Sequence, residues 1–217
     1  MQPQTTNVKK MVLLAMLAAI AFTIVALVRI PVVLFLKYDP KDVVITIGGF
    51  LFGPMASLIV SGVVSLIEMV TISDTGPIGL IMNVLSTCAF ACTASFIYKK
   101  KRTMGGAVAG LITGSVLRIV AMVLWNWLIT PLYMGTPREE VQALLLPVFL
   151  PFNALKAGLN TALTLFLYKP VVNTLRKIRF IETRETHPAQ SKTGVYILSA
   201  VLLVTCIVLV LVLNGTI

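Results

Sequence analysis

The sequence predicts an all-α polytopic membrane protein, and three observations support this fold class. Of the 217 residues, 58% are hydrophobic, and the mean hydropathy is +0.96. Only 12% are charged, whereas charged residues make up about 25% of a typical soluble domain. The apolar residues also fall in long runs, and a transmembrane helix needs roughly 20 such residues. These runs occupy most of the chain, so we expect no separate soluble domain.

Six apolar segments form the predicted bundle, and a seventh follows near the carboxyl terminus. The second is too short to cross a membrane, so we expect a short helix sunk in the bundle that turns at Gly53-Pro54. Pro147 and Pro151 interrupt the sixth, whose regular helix should begin near Pro151 because proline removes a backbone hydrogen bond. The predicted segments are 11–30, 43–52, 55–71, 78–98, 105–129, 143–168 and 195–213.

Basic residues mark the predicted cytoplasmic side. Twelve of the eighteen Lys and Arg residues fall in segments predicted to be inside, including the block 99–102. The predicted outside loops hold only Lys37, Lys41 and Arg138. By the positive-inside rule, we expect a multi-pass protein of the cell membrane with a cytoplasmic amino terminus.

The predicted organisation has three parts. Residues 1–180 form a six-helix membrane domain, 181–194 form a cytoplasmic linker, and 195–213 form an additional transmembrane helix. The first outside loop, 31–42, contains prolines and aromatic residues, and we expect it to be ordered rather than a simple connector.

The net charge of +10 is explained by membrane topology and not by a nucleic-acid partner, because the basic residues flank apolar runs. The sequence contains no recognisable catalytic set and no P-loop. Its single histidine, His187, lies in a polar segment, and the three cysteines lack the spacing of a redox or metal motif. We therefore expect neither an enzyme nor a resident metal or cofactor, and any active transport would draw its energy from a partner or an ion gradient.

Lys156 is the residue that points most directly to a binding site. In a helix it shares one face with Asn153 and Asn160, at 100° per residue. A cation at membrane depth is costly unless it faces protein, water or a polar partner, so this face should form the wall of a polar cavity. Asn160 lies about 6 Å deeper than Lys156, at 1.5 Å per residue, and we expect it to be a packing residue.

Other polar residues should approach the same end of the bundle. Asn83 and Asn126 lie toward the outer ends of their predicted spans, and the first loop lies on the same side. Amide groups, one cation and nearby apolar side chains suit a neutral or mildly polar ligand with an apolar body and several hydroxyls. The asparagines could equally hydrogen-bond neighbouring helices.

Two further features concern helix contacts. Arg118 lies in the middle of the fifth span, and Glu68 is the acidic residue placed well inside another span, so we consider an Arg118–Glu68 ion pair. Ala15 and Ala19 are spaced four apart on the first span, which permits close helix approach. That approach could involve either a helix of the same chain or a separate subunit.

Four groups of residues carry a resemblance to a known family. They are Lys37-Tyr38-Asp39, Gly76-Pro77-Ile78-Gly79 with Met82-Asn83, Trp125-Asn126, and Asn153 with Lys156. Over about residues 10–180 the chain resembles the substrate-binding S components of energy-coupling factor (ECF) vitamin transporters, and among them the riboflavin-binding members. The combination of Asn126, Asn153 and Lys156 is the most specific part.

The resemblance implies a subunit that captures riboflavin from outside for ATP-driven uptake, together with a transmembrane T component and two cytoplasmic ATPase subunits. Riboflavin would then be the transported ligand and not a cofactor. Ala15 and Ala19 would contact the T component. Segment 195–213 departs from the six-helix pattern of the family. An S component for another vitamin such as thiamine, or a stand-alone permease, remains an alternative. The ligand-binding residues implied are Asn126, Asn153, Lys156, Leu36, Lys37, Tyr38, Gly79 and Asn83.

Overall fold

The computed structural model describes residues 4–33, 36–73, 75–135, 137–177 and 192–213. The predicted all-α bundle is confirmed within these ranges, with one small hairpin added. Two π-helical turns, Cys88–Cys92 and Leu145–Phe149, interrupt the α-helices. The elements in chain order are α1 (Gln4–Leu27), β1 (Ile30–Val33), β2 (Leu36–Tyr38), α2 (Lys41–Phe52), α3 (Pro54–Thr71), α4 (Gly76–Thr87), α5 (Thr93–Lys100), α6 (Met104–Met134), α7 (Arg138–Leu144), α8 (Leu150–Lys177) and α9 (Lys192–Leu213).

Five helical segments of the described chain are long and apolar enough to cross a membrane: Val8–Leu27, Pro54–Thr71, Gly76–Lys100, Met104–Leu132 and Arg138–Thr174. The helix α2 has only 12 residues, which gives a length of about 18 Å against a hydrocarbon core of about 30 Å. Most of its side chains are buried, and it contacts α1, α3, α5 and α8. The predicted short helix sunk in the bundle is therefore confirmed.

The first loop is ordered, as predicted, over residues 31–33 and 36–42, which the structure describes. Strands β1 and β2 pair in antiparallel fashion, with Ile30 opposite Tyr38 and Pro31 opposite Lys37. The predicted end of the loop was wrong, however, because α2 begins at Lys41 and both Lys41 and Asp42 are buried. Partners on four other helices, described below, compensate these charges inside the bundle.

Helices α5 and α6 approach each other closely along a row of glycines. Gly110 and Gly114 of α6 face the α5 side, where an added Cβ would stand 2.6 Å from the carbonyl oxygen of Ala94 and 2.5 Å from that of Phe90. Small residues spaced four apart allow such backbone contact between membrane helices. This contact fixes α6, which carries Arg118 and Asn126 toward the site.

The entry to α8 is irregular, as the prolines predict. The π-helical turn Leu145–Phe149 joins α7 to α8, and α8 begins at Leu150. Pro151 has no N–H to donate to the carbonyl of Pro147, and the wider turn accommodates this missing hydrogen bond. The loop before it is shorter than predicted, because α6 continues to Met134 and α7 begins at Arg138.

Helix α9 lies along α8, and the Phe166 and Tyr196 rings meet edge to face with centroids 6.0 Å apart. It has 22 residues, which gives about 33 Å at 1.5 Å per residue, and its membrane crossing stays a prediction. Of the predicted linker 181–194, all but the last three residues lie outside the described ranges, as does His187.

Candidate ligand-binding site

A cavity opens at one end of the bundle, between the hairpin and the helices α3, α4, α6 and α8. The space inside it, together with the open space at its mouth, is about 1000 Å³. One part of the wall is apolar and the rest carries charges and amides. The lining residues are Arg29, Leu36, Lys37, Asp39, Glu68, Ser73, Thr75, Met82, Asn83, Ser86, Arg118, Met122, Asn126, Phe152, Asn153 and Lys156.

The basic block 99–102 lies far from this cavity. Asn83 lines the cavity, and the helical segment that contains it continues through the π-helical turn Cys88–Cys92 to Lys100. Lys100 is seventeen positions after Asn83, which corresponds to about 26 Å along the helix axis. The cavity and the basic block are therefore at opposite ends of the bundle.

Lys156 forms an ion pair with Asp39 on the cavity wall. The Lys156 Nζ donates to Asp39 Oδ2 over 2.8 Å, and both side chains are nearly buried. Burial alone would raise the pKa of the Asp39 carboxyl, but the ammonium groups of Lys156 and Lys41 outweigh it and hold that pKa below its usual range. The other carboxylate oxygen, Oδ1, is buried and accepts no hydrogen bond from the part of the chain that the structure describes.

A second ion pair joins α2 to α3. The Lys41 Nζ donates to both oxygens of Glu68, over 2.6 and 2.8 Å. The Nδ2 of Asn83 donates to Glu68 Oε2 over 3.0 Å. Glu68 is therefore held by two elements, and its carboxylate presents a hydrogen-bonded, negatively charged edge to the cavity.

Asp42 receives hydrogen bonds from three helices. Its Oδ1 accepts from Thr87 over 2.7 Å, and its Oδ2 accepts from Arg118 Nη1 over 2.6 Å and from Asn160 over 3.1 Å. Arg118 is only 2% exposed, and its Nε has no partner among the described residues. A charge buried this deeply is tolerated when such partners satisfy it.

The hypothesis of an Arg118–Glu68 pair was wrong. Arg118 pairs with Asp42, and Glu68 pairs with Lys41. The error came from placing Asp42 and Lys41 in a solvated loop, which left Glu68 as the only acidic candidate. Since α2 begins two residues earlier than predicted, inside the bundle, its first two residues supply both missing partners.

The two central asparagines hydrogen-bond within their own helices. The Asn126 Nδ2 donates to the Met122 carbonyl over 2.7 Å, and its Oδ1 accepts from Thr130 over 2.9 Å. The Asn153 Nδ2 donates to the Phe149 carbonyl over 2.8 Å. Each amide uses one of its two hydrogens in this way, so hydrogen-bonding capacity remains for a ligand.

Comparison with protein families decides the class of this protein. Residues 9–168 match the family described as "ECF transporter, substrate-specific component". The chain belongs to this family. This S component is therefore a transporter subunit of a multi-pass membrane class and not an enzyme.

The S component is also similar to curated riboflavin transporters. It is 28% identical over 179 residues to Riboflavin transporter RibU of Staphylococcus aureus, covering 78% of this chain and 94% of that protein. It is 27% identical over 185 residues to RibU of Streptococcus thermophilus, with coverages of 80% and 87%. It is 28% identical over 162 residues to Riboflavin transporter FmnP of Bacillus subtilis, with coverages of 69% and 85%.

A solved structure has the same fold. It is described as "Structure and mechanism of the S component of a bacterial ECF transporter", and the match has a TM-score of 0.66 at 29% identity. The match covers 99% of that chain but 78% of this one. This S component therefore contains the complete fold of that relative, and additional residues besides.

The predicted ligand-binding residues of this S component mostly converge on the cavity. Tyr38 and Gly79 lie outside its lining. Tyr38 is buried behind the wall, and its hydroxyl donates to Asn160 over 3.1 Å. Gly79 is buried in the first turn of α4, where an added Cβ would stand 1.9 Å from Thr75 Oγ1. The predicted residues that line the cavity are Leu36, Lys37, Asn83, Asn126, Asn153 and Lys156.

The phenol of Tyr38 stays protonated. Burial, and the negative charges of Asp39 and Asp42 beside it, raise the pKa of the Tyr38 hydroxyl above its ordinary value. The hydroxyl therefore remains a donor to Asn160, which in turn donates to Asp42. Asn160 belongs to this buried network and not to the lining, in keeping with its predicted packing role.

Sequence reasoning missed the charged residues of the cavity other than Lys37 and Lys156. Asp39, Glu68 and Arg118 line it, and so does Arg29, whose Nη1 donates to the Ile72 carbonyl over 3.0 Å. One signal was available. Three predicted spans each carry one charged residue in their apolar run: Glu68, Arg118 and Lys156. The segment 39–42 carries charges of both signs that could neutralise them. A buried charge needs an opposite partner, so charge balance favours placing that segment inside the bundle.

The alanine pair on α1 faces outward. Ala15 and Ala19 are exposed on the surface of the bundle, whereas Ala18 and Ala21 are buried within it. The structure therefore contradicts one of the two interpretations of this pair, which was packing against another helix of the described chain. The exposed face is open to lipid or to a separate subunit.

Proposed function

We propose that this S component captures riboflavin from outside the cell and delivers it to an ECF module for ATP-driven uptake. The observation that carries the proposal is the convergence of Asn126, Asn153 and Lys156 on one cavity. This convergence occurs in a chain similar to three riboflavin transporters. The chemistry of the cavity wall supports the same ligand.

Riboflavin has a flat apolar ring system with a polar edge and a flexible chain of hydroxyls. In the proposed complex, the amides of Asn126 and Asn153 and the ammonium of Lys156 hydrogen-bond the hydroxyl chain. Leu36 and Phe152 contact the ring system from the apolar part of the wall. The buried Asp39 Oδ1, which has no hydrogen-bond partner among the described residues, accepts a hydrogen bond from the ligand in the proposed complex. This satisfies an oxygen that is costly to leave unpaired.

The charge of the cavity argues against a cationic vitamin. Four basic residues line it, Arg29, Lys37, Arg118 and Lys156, against the two acidic residues Asp39 and Glu68. This surplus of positive charge in a poorly solvated site repels a cation such as thiamine. A neutral ligand with many acceptors is favoured instead.

The proposed orientation has the amino terminus in the cytoplasm and the cavity on the outside. The basic block 99–102 lies about 26 Å from Asn83 along the helix axis, and such blocks favour the cytoplasmic side. In this orientation the ligand enters the cavity directly from outside. The proposed partners inside the cell are two ATPase subunits, with a transmembrane T component beside the exposed Ala15–Ala19 face.

Titration of the purified protein with riboflavin tests the proposed ligand. We expect saturable quenching of flavin fluorescence at micromolar riboflavin or below, which excess thiamine does not reverse. No quenching at these concentrations would contradict the proposal, and displacement by thiamine would favour the other vitamin.

A matched pair of variants tests the proposed site. Asn153→Leu should weaken riboflavin binding by about 10-fold or more, the effect of about one buried hydrogen bond. Asn173→Leu changes the same residue type on the same helix, but at an exposed position some 30 Å away, and should bind as the wild type does. Equal affinities for the two variants would place the site elsewhere.

Reconstitution into liposomes separates the S component from a stand-alone permease. We expect the protein alone to bind riboflavin without accumulating it in the lumen, because it carries no ATP-binding motif. Uptake that proceeds without ATPase subunits would favour the permease.

A further inference from the structure

Helix α9 lies beyond the part of the chain that matches the family, which ends at residue 168. It runs antiparallel to α8. Tyr196 meets Phe166 near one end, and farther along Cys206 lies against Gly158, where an added Cβ would stand 2.9 Å from its sulfur. The helix also contacts strand β1. It therefore returns toward the end of the bundle that holds the cavity.

One face of α9 is buried and the opposite face is exposed. Ser199 and Cys206 are buried, with Leu202 and Leu203 half-buried between them. This spacing places all four on one side of the helix. The side chains exposed on the other side, which suit contact with lipid, are Ile197, Val201, Val204 and Val208.

The buried face joins the apolar cluster behind the cavity wall. Cys206 and Leu203 pack with residues of the hairpin and of α8. Two members of this cluster, Leu36 and Phe152, also line the cavity. The other members are Val32, Val33, Tyr38, Leu155 and Leu159. Helix α9 therefore forms a second layer behind the apolar part of the ligand site.

We propose that α9 is a brace for the first-loop hairpin, and that it slows the release of the bound ligand. This inference rests on the proposed function, because the ligand is the one proposed above. A two-stranded hairpin has little stability of its own, so its position depends on what it packs against. Within residues 9–168, which match the family, α8 packs against this hairpin, and α9 adds a second support. Without the contact to α9, the hairpin moves away from the rest of the cavity wall more often. Each such movement opens the cavity and lets the ligand leave.

Two double variants of the full-length protein test the brace. Leu203→Ala with Cys206→Ala removes the side chains that reach the cluster, while alanine preserves the helix. Val204→Ala with Val208→Ala makes a change of similar size on the exposed face and serves as the control. Gly158→Val disturbs the same contact from the α8 side, because its side chain would meet Cys206.

The main readout is the release rate of tritiated riboflavin during a chase with unlabelled riboflavin. We expect the Leu203→Ala/Cys206→Ala variant and Gly158→Val to release the ligand about 3- to 10-fold faster, with association rates within about twofold of wild type. The control should release it at the wild-type rate. Equal release rates in all variants, or faster release in the control as well, would overturn the proposal.

Hydrogen exchange of the ligand-free protein gives an independent readout. Backbone amides of β1 and β2 should exchange faster in the two perturbed variants than in the control, while those of α2 and α3 should not change. Unchanged exchange of the hairpin would overturn the brace. This measurement needs no ligand, so it separates failure of the brace from failure of riboflavin binding, which the wild-type titration tests.

Discussion

Asp42 is the residue on which the buried polar contacts of the bundle converge. Its carboxylate accepts from Thr87, Arg118 and Asn160, which belong to α4, α6 and α8. Each of these groups would be costly to bury without a partner. Their common acceptor therefore fixes three helices around the first turn of α2, directly beneath the cavity.

The Arg118–Asp42 pair yields a prediction for stability. Arg118→Met leaves the Asp42 carboxylate without its cationic partner, and removing one member of a buried pair costs about 3–5 kcal/mol. The thermal midpoint of the ligand-free protein in detergent should fall markedly. Arg138→Met, at an exposed position of α7, should change stability by less than about 0.5 kcal/mol. Similar midpoints for the two variants would show that the pair is not needed for folding.

Lys156 has two possible roles, as a ligand contact and as the partner of Asp39, and a pair of substitutions separates them. Lys156→Met should weaken riboflavin binding by about 10- to 100-fold, since a hydrogen bond to a charged group contributes about 1.5–3 kcal/mol. Adding Asp39→Asn should restore the thermal midpoint, because it removes the unpaired charge. It should not restore affinity. Full recovery of riboflavin affinity in the double variant would show that Lys156 acts only by neutralising Asp39.

At the scale of elements, the glycine row of α6 controls how close α5 can lie. Gly110→Val would drive a side chain into the Ala94 carbonyl, 2.6 Å from the position of the new Cβ. Because backbone atoms cannot rotate away, we expect a loss of about 1–3 kcal/mol and a lower thermal midpoint. Gly62→Val on α3 is the matched control, since its added Cβ would meet no described residue within 4 Å apart from its chain neighbours and the backbone of its own helix. An unaltered midpoint for Gly110→Val would mean that α5 and α6 move apart at no cost.

The prolines and the hairpin both influence the position of helix α8 at the site. Pro147 and Pro151 widen the turn that leads into α8, and Phe152, Asn153 and Lys156 follow within its first two turns. The hairpin then packs on Phe152 from the other side. The position of these three side chains thus depends on a local irregularity in the helix as well as on a long-range contact.

At the scale of the whole molecule, the proposed ligand site and the proposed docking face for a partner are separate surfaces. The cavity lies at one end of the bundle, whereas the Ala15–Ala19 face lies on the outer surface of α1. Ala15→Trp with Ala19→Trp should therefore abolish riboflavin uptake by the assembled transporter and leave binding by the purified subunit unchanged. Val116→Trp, on the exposed face of α6, is the control for bulk in the membrane. Normal uptake by the alanine-face variant would exclude this face from the docking surface.

The sequence by itself determined the membrane class, the positions of the apolar helices and the three cavity residues that carry amides, Asn83, Asn126 and Asn153. These follow from local rules. An apolar run of sufficient length forms a helix in lipid because its backbone groups must be satisfied internally, and Lys156 in such a run needs a polar environment. Residue spacing along the helix then brings Asn153 to the same face.

Only the tertiary structure decided which charges pair. Asp39, Lys41 and Asp42 stand beside prolines and aromatic residues in a stretch that looks like a solvated loop. Lys41 pairs with a residue 27 positions away along the chain, Asp42 with one 76 positions away, and Asp39 with one 117 positions away. Pairing at such separations depends on the depth at which α2 lies among its neighbours, and no local pattern specifies that depth. The same holds for α9, whose apolar sequence predicts a helix but not the cluster behind the cavity that it joins.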